Sequence, residues 1–149
     1  MMTISTRGRY ATRIVVLLAS ELGQGPMTKY QIADAEAISA AYVQQLMMAL
    51  RLAGLVKSHR GREGGFSLNR PPETITVAEI LQAVEGDIMP APCRSPGHCE
   101  RAAACPTRPV WEKAAQLLDD LFSSTVITDL AGSPSAESRL RPPTESDRS

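Results

Sequence analysis

Three cysteines, Cys93, Cys99 and Cys105, are the only ones in this chain, and they follow a Cys-x5-Cys-x5-Cys spacing. A thiolate is both a soft metal ligand and a nucleophile, so two chemistries are open to such a set. One is ligation of an iron–sulfur cluster, which is held by thiolates with an occasional nitrogen or oxygen donor. The other is reversible oxidation of exposed thiols. An odd cysteine count in a chain expected to be cytoplasmic argues against a disulfide framework. Three thiols on one loop leave a cluster with one further position to fill. His98 and Glu100 flank Cys99 and are the local candidates for a fourth ligand. The competing readings are a zinc site completed by His98, a metal-free thiol switch, and cysteines without a role.

The triplet lies in an irregular stretch, residues 87–105, with Pro90, Pro92, Pro96 and Gly97 around the first two cysteines. A long loop without structure of its own is usually functional or disordered. The elements on either side of it read as helices. Residues 106–131 carry Trp111, Ala115, Leu118 and Phe122 in one row, with Leu117, Leu121, Val126 and Ile127 beside it. That apolar arc is wider than one small domain needs, so this stretch is expected to be one long dimerisation helix from about Thr107 to about Leu130. Residues 132–149, with three prolines and five serines, are expected to form a disordered tail.

Residues 1–86 read as a compact module. A first helix from about Ser5 to Leu22 has Tyr10, Ile14, Leu17 and Leu18 at helical spacing. Thr28 is placed to cap a short second helix over Lys29–Ala35, burying Ile32 and Ala33. Ser39 is placed to cap a third helix whose buried stripe is Val43, Leu46, Met47, Leu50 and Ala53, with Gly54 closing it. The hydrophobic period then falls from 3.6 to 2. Residues 55–59 and 65–68 read as two strands joined by the glycine-rich turn Arg60-Gly61-Arg62-Glu63-Gly64. Thr76 and Glu79 match a capping box that opens a fourth helix, with Val77, Ile80, Leu81 and Val84 inward and Gly86 at its end. The predicted fold is mainly α with a small β-hairpin: a winged helix-turn-helix domain over 1–86, a cysteine loop over 87–105 and the dimerisation helix.

Charge agrees with a polyanionic partner. The chain has 16 basic and 16 acidic residues, but residues 1–70 hold nine Lys/Arg against four Asp/Glu, and residues 71–149 hold seven against twelve. A recognition helix needs one buried face and one face that reaches base edges. On the third helix the outward residues are Ala40, Ala41, Gln44, Gln45, Met48 and Arg51. The two glutamines suit adenine, Ala41 suits the thymine methyl, and Arg51 suits a phosphate. Arg60 and Arg62 on a thin hairpin suit the minor groove, where Gly61 permits close approach. Arg7, Arg9 and Arg13 add charge near the start of the first helix, and Thr28 stands at the start of the second. His59 reads as a strand histidine, not a ligand.

The stretches Thr6-Arg7-Gly8-Arg9-Tyr10-Ala11, Ile38 to Leu46, Gly54-Leu55-Val56 and Arg60 to Leu68, followed by the cysteine triplet, resemble the IscR/NsrR/RirA family of bacterial transcription regulators over about residues 1–130. The resemblance implies dimeric winged-helix proteins. It implies that Ser39 to Gln45, Tyr42 included, read the major groove and that Arg60-Gly61 enters the minor groove. It also implies an iron–sulfur cluster on the three cysteines, of two-iron type with a four-iron type as the alternative. Three departures stand out. The histidine ligand of the family falls near Arg108, and arginine does not deprotonate to serve as one. The acid that other relatives use near the N-terminus of the partner subunit is missing from Arg7-Gly8-Arg9. Some members also carry glutamate where Gln44 stands, so the target sequence is this chain's own.

The expected function is a DNA-binding transcription regulator, a repressor or an activator, working as a cytoplasmic homodimer on double-stranded promoter DNA, with affinity set by the cluster. A metal-free or zinc-bound thiol switch is the alternative. No Ser/His/Asp set and no phosphate-cradling loop is present, and there are two histidines, so no enzyme and no small-molecule substrate is expected. A protein-interaction module is the rival binding reading. The N-terminal apolar run is short and follows polar residues, so neither a signal peptide nor a membrane span is expected.

Overall fold

The computed structural model describes residues 3–88, 90, 91, 97 and 99–131. Cys93, His98 and the tail 132–149 lie outside them.

Local capping chemistry sets most of the helix starts. Helix α1 spans Thr6–Ser20, and Ser5 Oγ accepts from the Gly8 amide at its head. Helix α2 spans Lys29–Glu36 behind a Thr28/Gln31 capping box. Helix α3 spans Ala40–Leu52, with Ser39 Oγ accepting from the Tyr42 amide. Strands β1 (Val56–His59) and β2 (Gly65–Leu68) pair antiparallel, with Val56 opposite Leu68 and His59 opposite Gly65. Met27 exchanges both backbone hydrogen bonds with Phe66 and so widens the hairpin by one bridge. Helix α4 spans Val77–Glu85 and starts on the Thr76/Glu79 capping box.

Apolar side chains from α1 to α4 close on one core. Ile14, Val15, Ile32, Val43, Leu46, Met47, Leu50, Ile75 and Ile80 are all fully buried in it. Among the helices, α1 and α4 pack most broadly on each other. There Gly8 allows the close approach: a Cβ on it would overlap the Glu85 carboxylate and Leu81. Ser5 completes that junction by donating its hydroxyl (2.7 Å) and its amide (3.2 Å) to Glu85 Oε1.

Three expectations are corrected. The last helix is two helices, α5 (Arg108–Ser124) and α6 (Ile127–Leu130). Thr125 and Val126 leave the helix to bridge the segment before α4: the Val77 amide donates to Thr125 O, and the Ile127 amide donates to Ile75 O. The β-branched run Thr125-Val126-Ile127 favours that extended turn, and it sends Ile127 fully into the core, off the row expected of it. Ala53 is exposed, because the chain turns away at Gly54 before the stripe of α3 reaches it. Ala40 is half-buried against the core and not an outward residue. Among the described residues no helix is long and apolar enough to cross a membrane.

Candidate nucleic-acid interface and cysteine loop

Helix α3 buries Val43, Leu46, Met47 and Leu50 and turns Ala41, Gln45, Met48 and Arg51 outward. Gln44 and Tyr42 are half-buried at its flank. The cap uses Ser39 Oγ as an acceptor, which leaves its hydroxyl hydrogen free to donate elsewhere. Thr28 is committed in the same way: its hydroxyl accepts from the Gln31 amide, and its own amide donates to Gln31 Oε1.

The wing is open. Gly61 has φ of 102°, a conformation that disfavours any side chain, and a Cβ there would meet nothing. Arg60 and Arg62 on either side of it are exposed, as is Arg7 at the head of α1. His59, the last residue of β1, reaches across the hairpin to Ser67 Oγ on β2 at 2.8 Å. Arg13 is not a free cation like Arg7, because its Nε lies 2.6 Å from Glu36 Oε2. Sequence patterning missed Glu36, which reads as a solvated helix end and is buried.

The cysteine loop ends in a short 3-10 turn, Ala102–Ala104, whose amides fold back on Cys99 O and Arg101 O. Cys99 is exposed and Cys105 half-buried. The Thr107 hydroxyl, 3.2 Å from Cys105 Sγ, lowers the Cys105 pKa below the usual thiol value, and the neighbouring amides and the Arg108 charge add to this. Arg108, where the family resemblance places a histidine, acts as a clamp: Nε donates to Glu112 Oε1 at 2.7 Å and a terminal nitrogen donates to Ala102 O at 3.1 Å. Among the described residues no three His, Cys, Asp or Glu side chains converge on one point, and two of the five candidate ligands, Cys93 and His98, lie outside those residues. The donor chemistry of Cys99 and Cys105, accessible thiols of which one is biased toward thiolate, fits a thiolate-ligated centre.

Helix α5 carries two apolar stripes. Ala115, Leu118 and Phe122 turn toward α4 across a cleft of about 830 Å³ that Leu55, Leu81 and Ile88 also line. Val110, Leu117 and Leu121 lie on the outer side and are 59 %, 56 % and 54 % exposed. Trp111, at the loop end, is also exposed.

The family model for Rrf2, described as an iron-dependent transcriptional regulator, matches residues 4–133. The HTH-type transcriptional regulator CymR of Bacillus subtilis is 38 % identical over 130 residues, covering 87 % of this chain and 90 % of that protein. Its solved structure, described as that of the global cysteine regulator of B. subtilis, is similar with a TM-score of 0.74 at 37 % identity, covering 88 % of this chain and 97 % of that one. The structure of T. potens IscR is similar with a TM-score of 0.73 at 30 % identity, covering 97 % and 96 %.

Proposed function

Because the chain belongs to the Rrf2 family of transcriptional regulators, a non-enzymatic family, we propose that it acts as a homodimer on promoter DNA and that the state of Cys93, Cys99 and Cys105 sets its affinity. Helix α3 enters the major groove, with Ser39, Ala41, Tyr42, Gln44 and Gln45 toward the bases. Arg60-Gly61-Arg62 lies in the adjoining minor groove, and Arg7, Thr28 and Arg51 face phosphates. The outer stripe of α5 pairs with its copy in a second chain. A helix that is apolar on two sides buries both only in such a pair.

One observation carries the regulatory half of the reading. The cysteine loop is the direct connection between α4, which packs on α1 and α3, and α5. The three cysteines would hold an iron–sulfur cluster, which supplies an iron centre sensitive to oxidants and to iron supply. Ordering of the loop fixes where α5 starts relative to α4. The backbone bridge from Thr125–Ile127 to Ile75–Val77 carries that position back to the root of the wing. A dimer reads two half-sites only when its recognition helices match the groove repeat, so loop state becomes affinity.

A second reading rests on Cys105. A thiol with a lowered pKa, hydrogen-bonded to Thr107 at 3.2 Å, is suited to reversible oxidation without any metal. Iron and acid-labile sulfide counts on anaerobically purified chain separate the two.

The DNA reading is tested by Arg60→Ala and Arg62→Ala in a duplex titration over a range of salt. Weaker binding is expected, with a slope reduced by about 0.9 for each phosphate charge that the removed arginine no longer neutralises from the groove. Unchanged affinity and slope would leave the wing as a solvated hairpin or a protein-binding surface.

A further inference from the structure

Glu36 is the one buried charged residue among the described residues, with 9 % of its side chain exposed. Its place is electrostatically poor. It is the last residue of α2, where the helix dipole is negative, and burial penalises a carboxylate further. Oε2 accepts no hydrogen bond of good geometry; what compensates it is the Arg13 charge, with Nε 2.6 Å away. An apolar side chain of similar size would hold the same site at lower cost.

The pair belongs to a longer array. The Arg13 guanidinium lies 5.5 Å from the centre of the Tyr10 ring. That ring meets Tyr42 edge-to-face, with centroids 6.2 Å apart and planes at 84°. Each helix of the recognition unit contributes: Tyr10 and Arg13 from α1, Glu36 from α2, and Tyr42 from the first turn of α3. Both rings are half-buried against the core, so the array ends at the helix end that carries the Ser39 cap.

We propose that Glu36 is a positioning residue for operator recognition: through Arg13 and Tyr10 it fixes the Tyr42 ring, and with it the entry angle of α3. This rests on the reading that α3 enters the major groove. The array acts on base-specific contacts and leaves backbone attraction alone. Its signature is a loss of specificity, not of binding in general.

The test uses the full-length chain and two labelled duplexes at one salt concentration: one carrying the site that the wild-type chain selects from a randomised library, the other of random sequence. Glu36→Gln keeps the volume and removes the charge. It is expected to lower affinity for the selected site about tenfold, the scale of one lost base contact, and with it the ratio of specific to non-specific affinity, while random-sequence affinity, with the Arg13 charge released, does not fall. Tyr10→Leu, which retains the Arg13–Glu36 pair, is expected to do the same and serves if Glu36→Gln fails to fold. Adding Glu36→Gln to Tyr42→Ala is expected to cost nothing further, since coupled residues are non-additive. A ratio within twofold of wild type in both folded single variants, or additive losses, would reduce the array to ordinary packing and overturn the proposal. If Gln44→Ala and Tyr42→Ala also leave the ratio unchanged, α3 does not read bases, and the proposal falls with the reading beneath it.

Discussion

Arg70 sets its two terminal nitrogens against the two carboxylate oxygens of Glu79, at 2.9 and 3.0 Å. Arg70 stands two residues beyond β2, and Glu79 lies in the first turn of α4, where it also accepts from the Thr76 amide. The pair therefore joins the root of the wing to the helix that leads into the cysteine loop. A two-point grip of this kind fixes direction as well as distance, which a lysine would not reproduce.

The Arg70–Glu79 pair makes a pH-dependent contribution whose sign follows from its shifts. The Arg70 hydrogen bonds, foremost among the causes, hold the Glu79 pKa below its ordinary value, while the Arg70 pKa is raised. A lowered carboxylate pKa gives stability that is fully present above the unfolded value and lost as pH falls through the folded one. Arg70→Ala is expected to cost about 1 kcal/mol near neutral pH, after discounting for solvent screening of a partly exposed pair. In urea unfolding the gap between wild type and variant should close as pH falls below about 4. A gap that stays constant to low pH would contradict the assignment.

Ala37 ends α2 in the left-handed region, with φ of 54° and ψ of 44°, among the described residues the one non-glycine with positive φ. Glycine is the residue that occupies this position without a Cβ penalty. Ala37→Gly is expected to raise stability by up to about 1 kcal/mol, less the extra entropy that glycine brings to the unfolded chain. A lower thermal midpoint for the variant would contradict this.

Arg108 clamps the end of the cysteine loop to Ala102 and Glu112 at the position where the family resemblance places a histidine. Arg108→His removes the clamp and supplies an imidazole next to Cys105. If the three cysteines hold a cluster, the variant is expected to retain more iron per chain after anaerobic purification. Its visible absorption should then bleach more slowly in air. Equal iron content and equal bleaching would place residue 108 outside the ligand shell.

What was legible in the sequence follows the range of the forces involved. Ser5, Thr28, Ser39 and Thr76 announce helix starts because a capping bond closes within three residues. The hairpin was readable because glycine and arginine clusters interrupt a change of period from 3.6 to 2. The break between α5 and α6 was not seen, since it depends on a backbone bridge to Ile75–Val77, about fifty residues away in sequence. Its local sign was the β-branched run 125–127, which an uninterrupted apolar row obscured. Glu36 and Arg70 look like surface charges in the sequence, and only the packing of α1, α2 and α4 gives them partners. The cysteine triplet declared its chemistry through residue type and spacing, while the Arg108 clamp and the Thr107 contact to Cys105 required the fold.

In the proposed function, the state of the cysteine loop governs operator affinity. The direct measurement is one duplex titration at a single salt concentration. It compares anaerobically reconstituted chain, with iron and sulfide counted on the same sample, with the same preparation after chelation. The two affinities are expected to differ about tenfold or more, with the difference abolished in Cys99→Ala and Cys105→Ala. Equal affinities for loaded and stripped protein would contradict it.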